Sequence, residues 1–146
     1  KNIFKALSLV YKELNKEIIY PMHPRTQSKI SDLKIPEGVR VINPLGFYDF
    51  NNLSKNAFCL MGDSGTTPEE GLFYKVPCVS IRKSSERYET IEAGAHIVSG
   101  MDPVNIVESV TTIVNKGWNA RYDLNENFDS SSVVINVLRS QITNYF

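Results

Sequence analysis

This sequence predicts an α/β fold, a parallel sheet with helices on both faces, on three observations. Five short apolar runs of strand type alternate with stretches of helical periodicity. Every connection between successive runs is too long for a hairpin, so neighbouring strands run parallel. The polar, hydroxyl-rich and charged segments come after the strand-type runs instead of before them. Ligands in such sheets collect at the carboxyl ends of the strands, so one rim is marked for binding.

Ile3, Phe4, Leu7, Val10, Tyr11 and Leu14 recur at helical spacing and predict an amphipathic helix from about Lys1 to Asn15. Glu17 to Pro21 reads as the first strand, with Met22-His23-Pro24-Arg25 leaving its end and a weaker helical piece over Thr26 to Leu33. Val39 to Ile42 is the second strand, Phe47 to Asn56 a short helix, and Ala57 to Met61 the third strand. Glu69 to Tyr74 reads as the first turns of a helix that ends near Lys75, and Val76 to Ile81 is next as a buried-type strand, Pro77 at its entry. The polar loop Arg82 to Glu89 turns into a helix reaching Ala93, which Gly94 stops. Ala95 to Gly100 is the last strand. Asp102-Pro103 opens a helix carrying Val107, Val110 and Val114 on one face. Gly117 to Phe128, with Trp118, is a polar connection; Asp129 to Ser132 then cap a final helix with Val134, Val137, Leu138 and Ile142 on its apolar side.

A chain of 146 residues suits one domain with a genuine core, and residues 1–146 are read as a single unit. Hydrophobic residues at 42% against 22% charged place it among folded chains. Lys plus Arg and Asp plus Glu balance at 16 each, leaving no basic excess to neutralise a nucleic-acid backbone. No apolar segment approaches membrane-spanning length and no signal peptide is evident, so neither nucleic acid nor membrane is expected as a partner. Cys59 and Cys78 sit in apolar runs without metal-ligand spacing, as buried free thiols in a reducing cytoplasm would. Lys1 already lies inside a helical pattern, so a piece of a longer protein is expected.

The chemistry concentrates in Met61-Gly62-Asp63-Ser64-Gly65-Thr66-Thr67-Pro68-Glu69-Glu70, where a strand turns into a helix. Pro68 fits the first helical turn, and Thr66 or Thr67 can cap it. Such a turn aims unpaired backbone N–H groups and the positive end of the helix dipole at one spot, enough to hold an anion. Gly65 lets the backbone approach a bulky phosphate, Ser64 and Thr66 add hydroxyl donors, and Glu70 can accept two hydrogen bonds from a ribose diol. A nucleoside diphosphate fits that set. An ordinary capped helix, with Gly65 serving only the turn, fits the same residues.

Five segments occur in order: Tyr20-Pro21-Met22-His23-Pro24-Arg25, Pro44-Leu45-Gly46-Phe47-Tyr48-Asp49-Phe50, Asp63 to Glu70, Ile81 to Glu89, and Glu92-Ala93-Gly94. Together they resemble the C-terminal domain of the non-hydrolysing UDP-N-acetylglucosamine 2-epimerases, from about Asn2 to Val114. The Pro44-Leu45-Gly46-Phe47 segment and Asp63-Ser64-Gly65-Thr66 look like the branch acting on UDP-L-sugars in capsule and O-antigen synthesis. The resemblance implies a Rossmann-like half of a glycosyltransferase-B-like two-domain enzyme with its active site in the cleft between halves. It implies reversible inversion at C2 of a UDP-linked 2-acetamido sugar, by elimination and re-addition of UDP, with no metal or nicotinamide cofactor. A missing N-terminal domain with most acid/base carboxylates, a homodimer when full length, and inactivity of this piece alone are further implications.

On the same resemblance Ser64 and Gly65 meet the diphosphate with Thr66 beside them, Glu70 meets the ribose, and Phe50 lies where backbone groups hold the uracil. Arg87 and Glu86 belong to the loop facing sugar and phosphates, Arg87 as the cation on the diphosphate, and His23 lies where relatives contact nucleotide sugar. By their residues alone, Glu70 also reads as a solvated helix carboxylate, Arg87 as the partner of Glu86 or Glu89, and His23 as a turn histidine. His96 reads as structural; Trp118, Tyr122 and Tyr145 read as packing or domain-contact residues. The pattern departs from the family at Tyr88, where proline is usual, and at Asn127 to Ser132. The donor half of a UDP-sugar glycosyltransferase, or a non-catalytic nucleotide-sugar-binding module, would share the site.

Overall fold

The computed structural model describes residues 2–28, 34–115, 119–122 and 129–143. Helices and strands alternate: α1 (Asn2–Leu14), β1 (Ile18–Pro21), α2 (Pro24–Gln27), β2 (Val39–Ile42), α3 (Phe47–Lys55), β3 (Leu60–Gly62), then α4 (Thr67–Tyr74) and β4 (Cys78–Ser80). After these come α5 (Tyr88–Glu92), β5 (His96–Val98), α6 (Pro103–Ile113) and α7 (Ser130–Thr143). Most of the helical piece expected over Thr26 to Leu33, and Trp118 and Tyr145, lie outside the described residues.

All strand pairs are parallel, as the long crossovers require. They fall into two sheets, β1-β2 and β3-β4-β5. Ile18 to Pro21 pair with Val39 to Ile42, and β4 is flanked by β3 and β5 over three residues each. Between β1 and β3 lies an apolar cavity of about 490 Å³, lined by residues such as Leu7, Ile19, Phe50, Leu53 and Met61. Pro21, at the end of β1, has no N–H to offer a further strand.

Helices cover both faces of the β3-β4-β5 sheet. On one side α1 and α6 pack on each other, and Ala6 and Val10 meet Val79, Ile106, Val110 and Ile113. The apolar stripe of α6 therefore centres on Ile106, Val110 and Ile113, with Val107 and Val114 half-buried at its margin. On the other side Leu72 of α4 and Ala93, just past α5, pack against Ala95, with Tyr122 partly buried beside them. Gly71 permits close contact of α4 with β4: a Cβ there would stand 2.8 Å from the Val76 carbonyl oxygen. Gly94, at φ +73°, ends α5 as expected, whereas Lys75 takes the left-handed position after α4 at φ +60°. Val134, Val137 and Leu138 of α7 are exposed.

Candidate functional site

The third and fourth strand-to-helix connections meet at Gly65. In the first of them the Ser64 and Thr66 hydroxyls lie 3.2 Å apart, and the Thr66 amide points at Ser64 Oγ at 3.4 Å. Thr66 occupies the N-cap position of α4 without a side-chain cap bond, so the expected threonine cap is not the one that forms. Its hydroxyl faces Ser64 instead of the helix end. Pro68 stands in the first turn as expected. Among the described residues the amides of Gly65, Thr67 and Glu69 have no backbone acceptor, as expected of the orphan donors at the positive end of α4.

From the fourth connection, Arg87 Nε donates to the Gly65 carbonyl at 3.2 Å and pairs with Glu69 Oε1 at 3.2 Å. Both contacts are made through Nε, one donor of the guanidinium fork. Arg82 and Glu86, four residues apart, pair at 3.6 Å. Both stand over Gly65: a Cβ on Gly65 would be 3.1 Å from Glu86 Oε1 and 3.7 Å from Arg82 Nη1. The Glu86 backbone amide, then Arg82, hold the Glu86 carboxyl below the usual carboxylate range. The Gly65 turn thus has orphan amides at the start of α4 beside it and two guanidinium groups within reach. Two carboxylates hold those guanidinium groups.

Six of the eight candidate residues are therefore close in space or adjacent in chain: Ser64, Gly65, Thr66, Glu70, Glu86 and Arg87. Glu70 is half-buried one turn into α4, and its charge is felt at Cys78, whose thiol burial pushes up to about 12. Phe50 reaches the rim from α3, lining the same cavity as Asp63 and Thr67, while its amide is bonded within the helix to Gly46 at 2.9 Å. His23 is exposed at the end of β1, where Nδ1 accepts from the Arg25 amide at 3.2 Å and caps α2. That is the turn role its place beside Pro24 allowed. Arg82 was given no role on sequence grounds. Its position directly after a strand, on the binding rim, was the available signal. Asp63 also reaches the rim, where burial and then its charge raise the Tyr20 hydroxyl.

No helix among the described residues is long and apolar enough to cross a membrane. Both cysteines are free, Cys78 buried and Cys59 half-buried.

A family model described as UDP-N-acetylglucosamine 2-epimerase matches residues 1–138. The UDP-N-acetylglucosamine 2-epimerase of Methanococcus maripaludis is 32% identical over 141 residues, 91% of this chain and 38% of the relative. The Pseudomonas aeruginosa UDP-2,3-diacetamido-2,3-dideoxy-D-glucuronate 2-epimerase is 33% identical over 99 residues, 68% of this chain and 28% of that protein. Among solved structures, the Methanocaldococcus jannaschii UDP-GlcNAc 2-epimerase in complex with UDP-GlcNAc and UDP superposes with a TM-score of 0.79 at 31% identity. That match covers 95% of this chain and 40% of the other. The chain thus spans about two fifths of the length of such relatives.

Proposed function

This chain belongs to the UDP-N-acetylglucosamine 2-epimerase family, and on that basis we propose that it is the UDP-binding part of a UDP-sugar 2-epimerase. The Arg87 guanidinium held at Gly65, beside the orphan amides that start α4, carries the reading, because a diphosphate needs donors and positive charge together. Residues 1–146 act as one nucleotide-binding domain, and the acid/base carboxylates belong to a preceding domain of the same protein. Ser64, Gly65 and Thr66 meet the diphosphate. Arg87 exchanges Glu69 for a phosphate oxygen, with Glu86 beside it, and Glu70 accepts from the ribose hydroxyls. Phe50 borders the base, and His23 stands at the sugar end of the cleft.

The reaction removes the proton at C2 of a UDP-linked 2-acetamido sugar while the C1–O bond to UDP breaks, leaving a glycal. UDP adds back at C1 and a proton returns to C2 on the opposite face. Donors fixed around the departing diphosphate favour the charge that develops there, without needing a metal. The product class is a surface-polysaccharide precursor of the capsule or O-antigen kind, made in the cytoplasm by a homodimer. The Asp63-Ser64-Gly65-Thr66 form of the loop supports that branch.

Calorimetric titration of the full-length protein with UDP and CDP tests the site. UDP is expected to bind saturably and CDP not, with Ser64→Ala and Glu70→Ala each weakening UDP binding by about 1.5–3 kcal/mol, the worth of hydrogen bonds to charged groups. Unchanged affinity in both variants would sink the assignment.

A further inference from the structure

Behind the rim runs a buried polar chain. His96, at the start of β5, has both ring nitrogens engaged. Nδ1 lies 3.0 Å from Thr90 Oγ1 on α5, and Nε2 lies 2.7 Å from Ser80 Oγ at the end of β4. Ser80, Thr90 and His96 are each at most 2% exposed. The Thr90 hydroxyl also reaches the Arg87 carbonyl at 2.7 Å. A carbonyl can only accept, so the Thr90 proton points there and the Thr90 oxygen accepts from Nδ1–H. Nε2 is then bare and accepts from Ser80. The ring is neutral, and no buried side-chain polar atom among the described residues is left unpaired. Burial, then the Arg82 charge, hold this histidine below its usual range.

Arg87 has little else to fix it from behind. It is the N-cap of α5, at φ −99° and ψ 69°, and makes no side-chain cap bond. Its amide donates to Ser85 Oγ at 3.2 Å, within the same loop. With five residues, α5 is too short for its own ladder to hold an orientation. The tie from the Arg87 carbonyl through Thr90 and His96 to Ser80 joins that backbone to a core strand, beside the bond from the Ala95 amide to the Thr90 carbonyl at 3.1 Å.

We propose that His96 is a positioning residue for Arg87, fastening the loop that carries the guanidinium to β4 so that it meets the Gly65 turn at fixed reach. The proposal rests on the reading of the Gly65 rim as the diphosphate site.

The test uses the full-length protein with His96→Leu, His96→Asn, Thr90→Val and Thr90→Ser, and Thr90→Val in an Arg87→Ala background. UDP affinity is read by calorimetry, and the Arg87 Nε–H resonance by NMR. His96→Leu and Thr90→Val should each weaken UDP binding about tenfold, as the loss of one buried hydrogen bond allows. Both should also move the Arg87 Nε–H signal. Thr90→Ser and His96→Asn, which keep a hydroxyl and an Nδ1-like donor, should restore most of both. In the Arg87→Ala background Thr90→Val should add nothing. An unmoved Arg87 resonance in a folded His96→Leu or Thr90→Val protein overturns the proposal, as does UDP binding that weakens equally without Arg87. If Arg87→Ala alone leaves UDP affinity unchanged, the site reading fails instead, and the resonance still decides whether His96 holds Arg87. Should His96→Leu fail to fold, the pair Thr90→Val and Thr90→Ser decides it.

Discussion

At Gly71 two effects of similar size oppose each other. Alanine is the better helix former by about 1 kcal/mol, and on α4 alone Gly71→Ala would stabilise. Yet the added Cβ would stand 2.8 Å from the Val76 carbonyl oxygen and 3.3 Å from Cys78 Cβ. The Val76 amide is bonded back to the Gly71 carbonyl at 2.8 Å, so Val76 cannot step aside freely. Overpacking against backbone costs about 1–3 kcal/mol, which outweighs the propensity gain. Gly71→Ala is expected to lower the unfolding free energy by about 1 kcal/mol in a urea titration, and a rise would mean α4 can lift from β4. At this scale the grouping of the candidate residues was legible, because a parallel sheet gathers its ligands at the carboxyl ends of the strands. Ser64, Gly65 and Arg87 all come from connections that leave such ends. Chain position leaves direction open, however. Arg82 and Arg87 leave the same loop, and only the folded chain shows both at Gly65.

Helix starts separate by whether a side chain closes them. Asp102 accepts from the Val104 amide at 2.9 Å and the Asn105 amide at 3.4 Å, with Pro103 in the first turn, so α6 begins on a built cap. Asp102→Ala should destabilise by about 1 kcal/mol, whereas Thr66→Ala, which removes no cap bond, should cost about half that or less; thermal melts of the two variants check the order. The comparison is informative because both positions carry capping residues in the sequence and only Asp102 acts as one. Asp-Pro before an apolar run could be read directly. At Thr66 the nearby Ser64 competes for the hydroxyl, which local pattern does not reveal. Strand lengths were overread for a related reason. The apolar runs Ala57 to Met61 and Val76 to Ile81 mark what is buried, but pairing covers only Leu60–Gly62 and Cys78–Ser80. Partner strands set where a ladder ends, and a single run carries no record of its partner. The division of the strands into two sheets was hidden in the same way.

For the molecule as a whole, buried titratable groups fix how stability varies with pH. His96 is neutral in the fold, pushed below its ordinary 6.5 by burial and then by Arg82. Below about pH 6.5 the unfolded chain takes up a proton that the folded chain refuses, so stability falls as pH drops. At the other end burial raises both thiols from 9.0, Cys78 to about 12 and Cys59 further. Between pH 9 and 12 the unfolded thiols ionise while the folded ones do not, so stability falls as pH rises. Tyr20 and Tyr122, also raised by burial, act in the same direction above pH 10. The lowered carboxyls of Glu86 and Asp129 act only in the acid range below their ordinary 4.5 and 3.8, and both are open to solvent. Unfolding free energy from urea titrations should therefore be level between about pH 6.5 and 9 and decline on both sides. His96→Leu should flatten the decline just below pH 6.5, and Cys59→Ser with Cys78→Ala the one above pH 9. If the acid decline keeps its slope without His96, the neutral ring is not its source, and the buried chain from Ser80 to Arg87 does not carry the proton arrangement assigned to it.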